Sequence, residues 1–285
     1  MLIVVCCKLE LCHSRPRRMK NRAIQYREYK PTAELQGYVE CYWTGTPDPL
    51  VPDADGIHRV LPDGCIDIVV EFDLCAGEDG EHMVPGFADK AAVVGTMSRP
   101  LIVNSARRTC FLGARFRPGK AIAILGGSAG ELTNVSIPLG EIWNHKAGGN
   151  FEDELTDQRT IASKVRVVER VLLNKLGRKK DDDPYVGALV DLIVRERGAV
   201  SVEALSEFAG ISRQHIARKF DRYVGISPKL FSRVMRFQDL MTTIREAPHI
   251  DWASTALDLG YYDQAHMISD FKEFSGQTPA SFLTE

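Results

Sequence analysis

Hydrophobic positions change their spacing twice along the chain. Up to about Trp143 they fall in short β-branched runs divided by Gly, Pro, Asn and Ser. Cys65-Ile66-Asp67-Ile68-Val69-Val70-Glu71-Phe72 has strand length and follows Pro62-Asp63-Gly64, a turn signal. Arg59–Leu61 leads into that turn, and Ala91–Val94, Leu101–Val103 and Cys110–Phe116 are further predicted strands. Pro118 opens a short helix through Ala121, Ile122 and Leu125, stopped at Gly126-Gly127. This pattern predicts a β-rich domain, a barrel or a curled sheet.

From Phe151 to Leu176 the spacing becomes helical. Ile161, Val165, Val168, Leu172 and Leu176 recur every three or four residues, which marks an amphipathic helix. Its stripe suits either packing within the domain or a homodimer seam. Arg178-Lys179-Lys180-Asp181-Asp182-Asp183 carries no apolar residue and reads as a linker. Everything after it reads as helix. Asp183 caps a helix with Pro184 in its first turn and Val186, Leu189, Val190, Ile193 and Val194 on its stripe, ended by Gly198. Ser201 caps a second helix, closed by Gly210, and Ser212 caps a third.

The last eighty residues repeat themselves. Phe220, Tyr223, Gly225, Ser227, Pro228 and Phe231 recur at one offset as Phe271, Phe274, Gly276, Thr278, Pro279 and Phe282. Upstream, Gly210 and Gly260 each precede a capping residue, Ser212 or Asp263. Each half is therefore helix, tight turn, helix, Gly, then Ser/Thr-Pro, which is helix-turn-helix grammar. In the helix from Ser212, Ile216 and Phe220 lie four apart and must face the core. Arg213, Gln214, Ala217 and Arg218 lie on the other side, where long donors suit a major groove. In the second copy Met267 and Phe271 face inward, and Gln264, Ala265, Ile268 and Ser269 outward. Between the copies runs a predicted helix from about Pro228 to Arg245, roughly 27 Å long.

Whole-chain charge hides this. The net value is −2, but Ser212–Arg245 carries eight basic residues against two acids, a local +6. The basic set includes Arg222, Lys229 and Arg233, which read as phosphate contacts. The seven cysteines are odd in number, contain no C-x-x-C and stop at Cys110, which fits a reduced cytoplasmic chain. Leu2–Cys7 is too short to span a membrane and lacks preceding positive charge, so no membrane partner is expected. Arg15, Arg17, Arg18, Lys20 and Arg22 follow it, in what reads as a disordered extension, with Met19 a second candidate start. A basic arm on DNA is the less favoured reading.

Candidate chemistry elsewhere is thin. Cys41, Cys65 and Cys110, with His58 and His82, have no zinc spacing and read as small buried hydrophobes rather than a metal or thiol sensor. Asp63, Asp67, Arg115 and Arg117 either line a ligand pocket or form a structural pair, and the structural reading is preferred. No phosphate loop, metal helix motif or nucleophile–base pair is present, so no catalytic residue, metal or cofactor is assigned. His266 reads equally as a DNA contact or a cap-region histidine. Tyr261 and Tyr262 read as packing.

Residues 186–282 resemble the AraC/XylS family of bacterial transcription regulators, most specifically in the run Gly260–Pro279, with Gly210-Ile211-Ser212 and Arg218-Lys219-Phe220 matching the first unit. The resemblance implies seven helices, binding to double-stranded promoter DNA and contact with RNA polymerase. By position it implies base contact by Gln214, Ala217 and Arg218, and by Gln264, Ala265, His266 and Ser269. Many relatives have Arg where Ser269 stands, and Asp270 lies beside it. Thr255 and Ser206 also replace usually apolar or small positions. With Arg213, Arg222, Lys229, Arg233 and Lys272, these residues form the expected DNA-binding set. Tyr38–Trp43, Arg59–Asp67 and Gly113–Gly119 resemble a sensor type found in some such regulators, which implies a small-molecule effector without naming one.

The expected architecture is α+β and multidomain: a disordered extension (1–22), a β-rich barrel-like sensor domain (23–148), a helix and linker (149–182) and an all-α domain of two helix-turn-helix units (183–285). The expected function is a DNA-binding transcription regulator, such as an activator. The alternative is an enzyme or modifying protein with a DNA-targeting tail.

Overall fold

The computed structural model describes residues 2–4, 24–47, 57–76, 83–104, 109–143, 151–177, 181–246 and 250–284. In chain order the N-terminal elements are β1 (Leu2–Val4), β2 (Ile24–Tyr29), β3 (Val39–Pro47), β4 (Ile57–Val60), β5 (Ile66–Ala76), β6 (Met83–Val94), β7 (Leu101–Asn104), β8 (Thr109–Phe116), α1 (Ile122–Leu125), β9 (Ser136–Pro138), α2 (Leu139–Trp143), α3 (Phe151–Thr156) and α4 (Ile161–Leu176). Six strands form an antiparallel sheet ordered β2-β3-β8-β5-β6-β9, and β1, β4 and β7 form a smaller sheet. The larger sheet curls no further than two open edges: β2 and β9 are not paired among the described residues.

The alternation of β5 and β8 explains the layering. Ile66, Ile68, Val70 and Phe72 stand across from Phe116, Ala114, Leu112 and Cys110, and all are buried in one core. Asp67 and Arg115, one step out of phase, are a directly opposed pair on the other face. The amphipathic stripe of α4 joins the apolar core: Val165, Val168, Leu172 and Leu176 are all buried there. The stripe therefore packs within its own chain, and a second copy would need another surface. The sequence reads 151–176 as one helix. The chain breaks at Asp157–Thr160, where Thr160 and Ser163 form a reciprocal capping box that starts α4. Leu2–Val4 departs from the expected disorder. Its residues pair in parallel with β4, satisfying a strand edge. The basic run Arg15–Arg22 and Met19 lie outside the described residues.

The helical elements are α5 (Pro184–Arg195), α6 (Val202–Ala209), α7 (Arg213–Tyr223), α8 (Pro228–Glu246), α9 (Trp252–Asp258), α10 (Gln264–Ser275) and α11 (Pro279–Thr284). The expected caps are present. Asp183, Ser201, Ser212 and Asp263 each accept a backbone N–H of the following first turn through their side chains. Helix α8 is the axis. Ten of its residues, among them Phe231, Val234, Phe237, Leu240 and Met241, are buried around most of its circumference, leaving one narrow stripe with exposed Lys229 and half-buried Arg233, Arg236 and Thr243. Phe231 meets Phe220 of α7, and Phe237 meets Phe271 and Phe274 of α10.

The sheet domain docks on the same helix. The Gln238 amide donates to the Pro62 carbonyl. Gly64 has φ +79, and a Cβ there would lie 2.5 Å from the Phe231 ring. Gly126 has φ +78 but open space around it. Gly210 also has positive φ (65°) and open space around it, so Gly210→Ala strains the backbone alone, whereas Gly64→Ala adds the clash with Phe231. Thermal unfolding is expected to show Gly64→Ala losing more stability than Gly210→Ala, and a smaller or equal loss would mean the loop does not press on α8.

Candidate nucleic-acid interface

The two repeat units present matching surfaces. In α7, Ile216, Phe220 and Tyr223 face inward, leaving Arg213, Gln214, Ala217, Arg218 and Arg222 exposed. In α10, Met267, Phe271 and Phe274 are buried, leaving Gln264, Ala265, Ser269 and Lys272 exposed, with Ile268 half-buried. Gly210 and Gly260 take positive φ (65° and 74°) in the turns before α7 and α10. The Ser206 hydroxyl donates to the Ile211 carbonyl at 2.6 Å, so this unusual serine fastens the first turn.

Most basic residues around α7 and α8 are already engaged. Arg213 pairs with Glu203, Arg222 with Asp181, and Lys219 with Asp183. Asp182 takes Lys120 of the sheet domain. The stretch Asp181–Asp183, expected as a bare linker, is thus an acidic clasp between the sheet domain and α7. Among the described residues, Arg218 and Lys229 have no acidic partner, and both are exposed. Arg233 is held differently. Its guanidinium meets buried Asp270 at 2.8 Å and Glu273 at 2.6 Å, tying α8 to α10. Burial alone would lower its proton affinity, but the two carboxylates outweigh this and raise it. Asp270 therefore faces inward to Arg233 and does not share the outward face of Ser269.

His266 sits half-buried at the start of α10. Its Nδ1 accepts the Tyr262 amide at 3.4 Å, and its ring meets Tyr261 edge-on. Of the tyrosine pair only Tyr261 is buried. Tyr262 is 86% exposed just before α10, which corrects its reading as packing. Adjacent tyrosines give no sequence signal for which one turns outward.

The sheet domain holds a second polar cluster. Arg115 meets Asp63 at 3.0 Å and Asp67 at 3.4 Å, and the Trp43 indole donates to Asp67 at 2.8 Å. The Asp63 carboxylate also accepts the Cys65 amide, which shapes the loop that docks on α8. The Cys65 thiol lies 3.9 Å from Glu40. Asp63, Asp67 and Arg115 are enclosed, and burial pushes the Asp63 carboxyl upward despite Arg115. Cys41, Cys65 and Cys110 are buried, and burial pushes the Cys110 thiol up to about 12.

Two stretches of the chain match known families. Residues 205–285 match the family described as "Helix-turn-helix domain", and residues 27–138 match a "Domain of unknown function (DUF6597)". A Haemophilus influenzae protein described as an "Uncharacterized HTH-type transcriptional regulator" is 27% identical over 95 residues, 33% of this chain. The match spans 32% of that relative's length. Among solved structures, ToxT from Vibrio cholerae is similar with a TM-score of 0.43 at 10% identity, over 80% of this chain and 96% of that one. A further ToxT structure, of an apo variant, gives 0.41 at 10% identity over 94% and 99%.

Burial pushes Glu40 up to about 7; Arg115 and Arg117 pull it down, and Asp63 and Asp67 push it up. Its folded value lies above its ordinary 4.5, so its contribution to stability is greatest below 4.5 and is lost as pH rises through about 7. The melting temperature is expected to fall over that window, and to fall less in Glu40→Gln. An equal fall in both would place the titrating group elsewhere.

Proposed function

Taking residues 205–285 as a helix-turn-helix domain of the AraC/XylS type, we propose that this chain is a sequence-specific transcription regulator acting on double-stranded DNA in the cytoplasm. The observation that carries the reading is the repeated unit itself: a glycine turn, a capped helix and an exposed polar face, twice, on one buried axis. The first face supplies Arg218 with no acidic competitor among the described residues, flanked by Gln214 and Ala217. Arg213 and Arg222 exchange their exposed carboxylate partners for phosphates at little cost, since such surface pairs contribute only about 0–1 kcal/mol. The second face, Gln264, Ala265 and Ser269 with His266 and Lys272, supplies weaker contacts, to which Tyr262 is added. Arg233 serves this reading by orienting α10.

The domain bounds proposed are 23–148 for a sensing domain, 149–182 for the helix and linker, and 183–285 for DNA binding. A small-molecule effector or a protein partner acting on the sheet domain would control the regulator, and RNA polymerase is its partner at the promoter. The alternative of an enzyme finds less support. Asp63, Asp67 and Cys65 are buried, and the two carboxylates are occupied by Arg115, the Trp43 indole and the Cys65 amide.

The test uses the full chain and a duplex library with a randomised core. The bound fraction is expected to enrich a defined motif, with affinity falling steeply as salt rises. Arg218→Ala is expected to weaken binding to that motif about tenfold or more and to relax one position of it, whereas Lys229→Ala weakens all duplexes alike and lowers the salt slope by about one. Unchanged affinity in Arg218→Ala would remove α7 as the reading helix.

A further inference from the structure

The repeat aligns Val224 with Ser275 and Gly225 with Gly276, at the C-terminal ends of the two recognition helices. These ends leave carbonyls without intrahelical partners. In both repeats the sheet domain supplies the missing donor at the equivalent position. The Thr96 hydroxyl donates to the Val224 carbonyl at 2.6 Å, and the Arg59 guanidinium donates to the Ser275 carbonyl at 2.9 Å. The next residues are also engaged. Thr133 donates to the Gly225 carbonyl at 2.6 Å, and Pro100 packs 3.5 Å from where a Cβ would stand on Gly276.

The donors come from a braced part of the sheet domain. Thr96 is wholly buried in the loop after β6. Asn134, in a left-handed conformation (φ 59), accepts the Ser98 amide at 2.8 Å, donates to the Ser98 hydroxyl and gives its own amide to the Thr96 carbonyl. Arg59 is on β4, which pairs with β7 directly after that loop. One braced unit therefore holds both recognition helices by the same backbone atom, at the ends far from their reading faces.

We propose that Thr96 and Arg59 are positioning residues for DNA recognition: the sheet domain fixes the spacing and angle between the two reading helices, and so sets which half-site spacing the protein accepts. This rests on the DNA-binding reading above. Helix α8 grips α7 through side-chain packing and α10 through packing and the Arg233–Asp270 pair, whereas the sheet domain pins both helix ends at the equivalent carbonyl. Any event that loosened the 95–100 loop would widen the accepted spacing without touching a base contact.

The test compares the full-length parent with Thr96→Val, which keeps the shape and loses the hydroxyl, with Thr96→Ser, which restores it, and with Arg59→Ala. Duplexes carry the parent's selected motif with the two half-sites moved one base pair closer or further apart. The parent is expected to discriminate strongly against both shifts. Thr96→Val and Arg59→Ala are each expected to shrink that discrimination about threefold to tenfold, the worth of one hydrogen bond, while Thr96→Ser restores it. Hydrogen exchange without DNA is the second readout. Thr96→Val should speed exchange at 213–226 and Arg59→Ala at 264–284. Parental spacing discrimination in folded Thr96→Val and Arg59→Ala would overturn the proposal even with DNA binding intact. A parent that selects no motif would instead overturn the DNA-binding reading beneath it, and the positioning role with it.

Discussion

Burial of α8 around most of its circumference is the constraint from which the rest follows. A helix that keeps Phe231, Val234, Phe237, Leu240 and Met241 from water needs neighbours around most of its circumference. α7 covers one part through Phe220, and α10 covers another through Phe271 and Phe274. α5 closes a third, and just past its end Gly198 lies so close that a Cβ would collide with the Ser232 carbonyl. The sheet domain completes the enclosure with Gly64 on Phe231 and the Pro62 carbonyl on Gln238. The two helix-turn-helix units and the sheet domain thus share one core, and a change in any one of them is felt at the same helix.

That shared core gives charge a particular distribution. The +6 stretch is largely divided among partners, and only part of it faces solvent unpaired. Arg233 and Asp270 make an ion pair whose carboxylate is nearly sealed from water, so separating them would strand a buried charge, a cost of roughly 3–5 kcal/mol. Arg213 and Arg222 sit in exposed pairs that a phosphate can displace. The two exposed helix faces remain unequal: α7 offers a guanidinium with no acidic partner among the described residues, and α10 offers amide, hydroxyl and imidazole groups with one lysine.

The helical half was legible because its signals are local. Asp183, Ser201, Ser212 and Asp263 are capping residues whose side chains bond within three residues, and Gly210 and Gly260 mark left-handed turns. The spacing of Ile216 and Phe220, and of Met267 and Phe271, separated inward from outward faces without reference to distant contacts. Strands β5 and β7 were visible from their β-branched runs, and β8 from an apolar run of strand length. β2 and the break between α3 and α4 were not: Ile24–Tyr29 is mostly polar, and a capping box begun by Thr160 resembles any polar pair within a long stripe. The long-range contacts were out of reach. Gly64 reads as a turn glycine on any local grounds, and only the fold shows that Phe231, far along the chain, forbids a side chain there. The same holds for Arg233, whose basic character suggested phosphate and whose position gives it Asp270.

With 19 residues, α8 spans about 28 Å, close to the roughly 34 Å that separates successive major-groove faces on one side of a duplex. The central claim is that one buried helix presents two unequal reading faces to adjacent turns of DNA. Guanine-methylation interference on a selected duplex tests it most directly, because the modification blocks the major groove at single positions. The account predicts two clusters of interference about one helical turn apart on the same face, the stronger one assigned to α7 by its loss in Arg218→Ala. A single cluster, or two on opposite faces of the duplex, would contradict it.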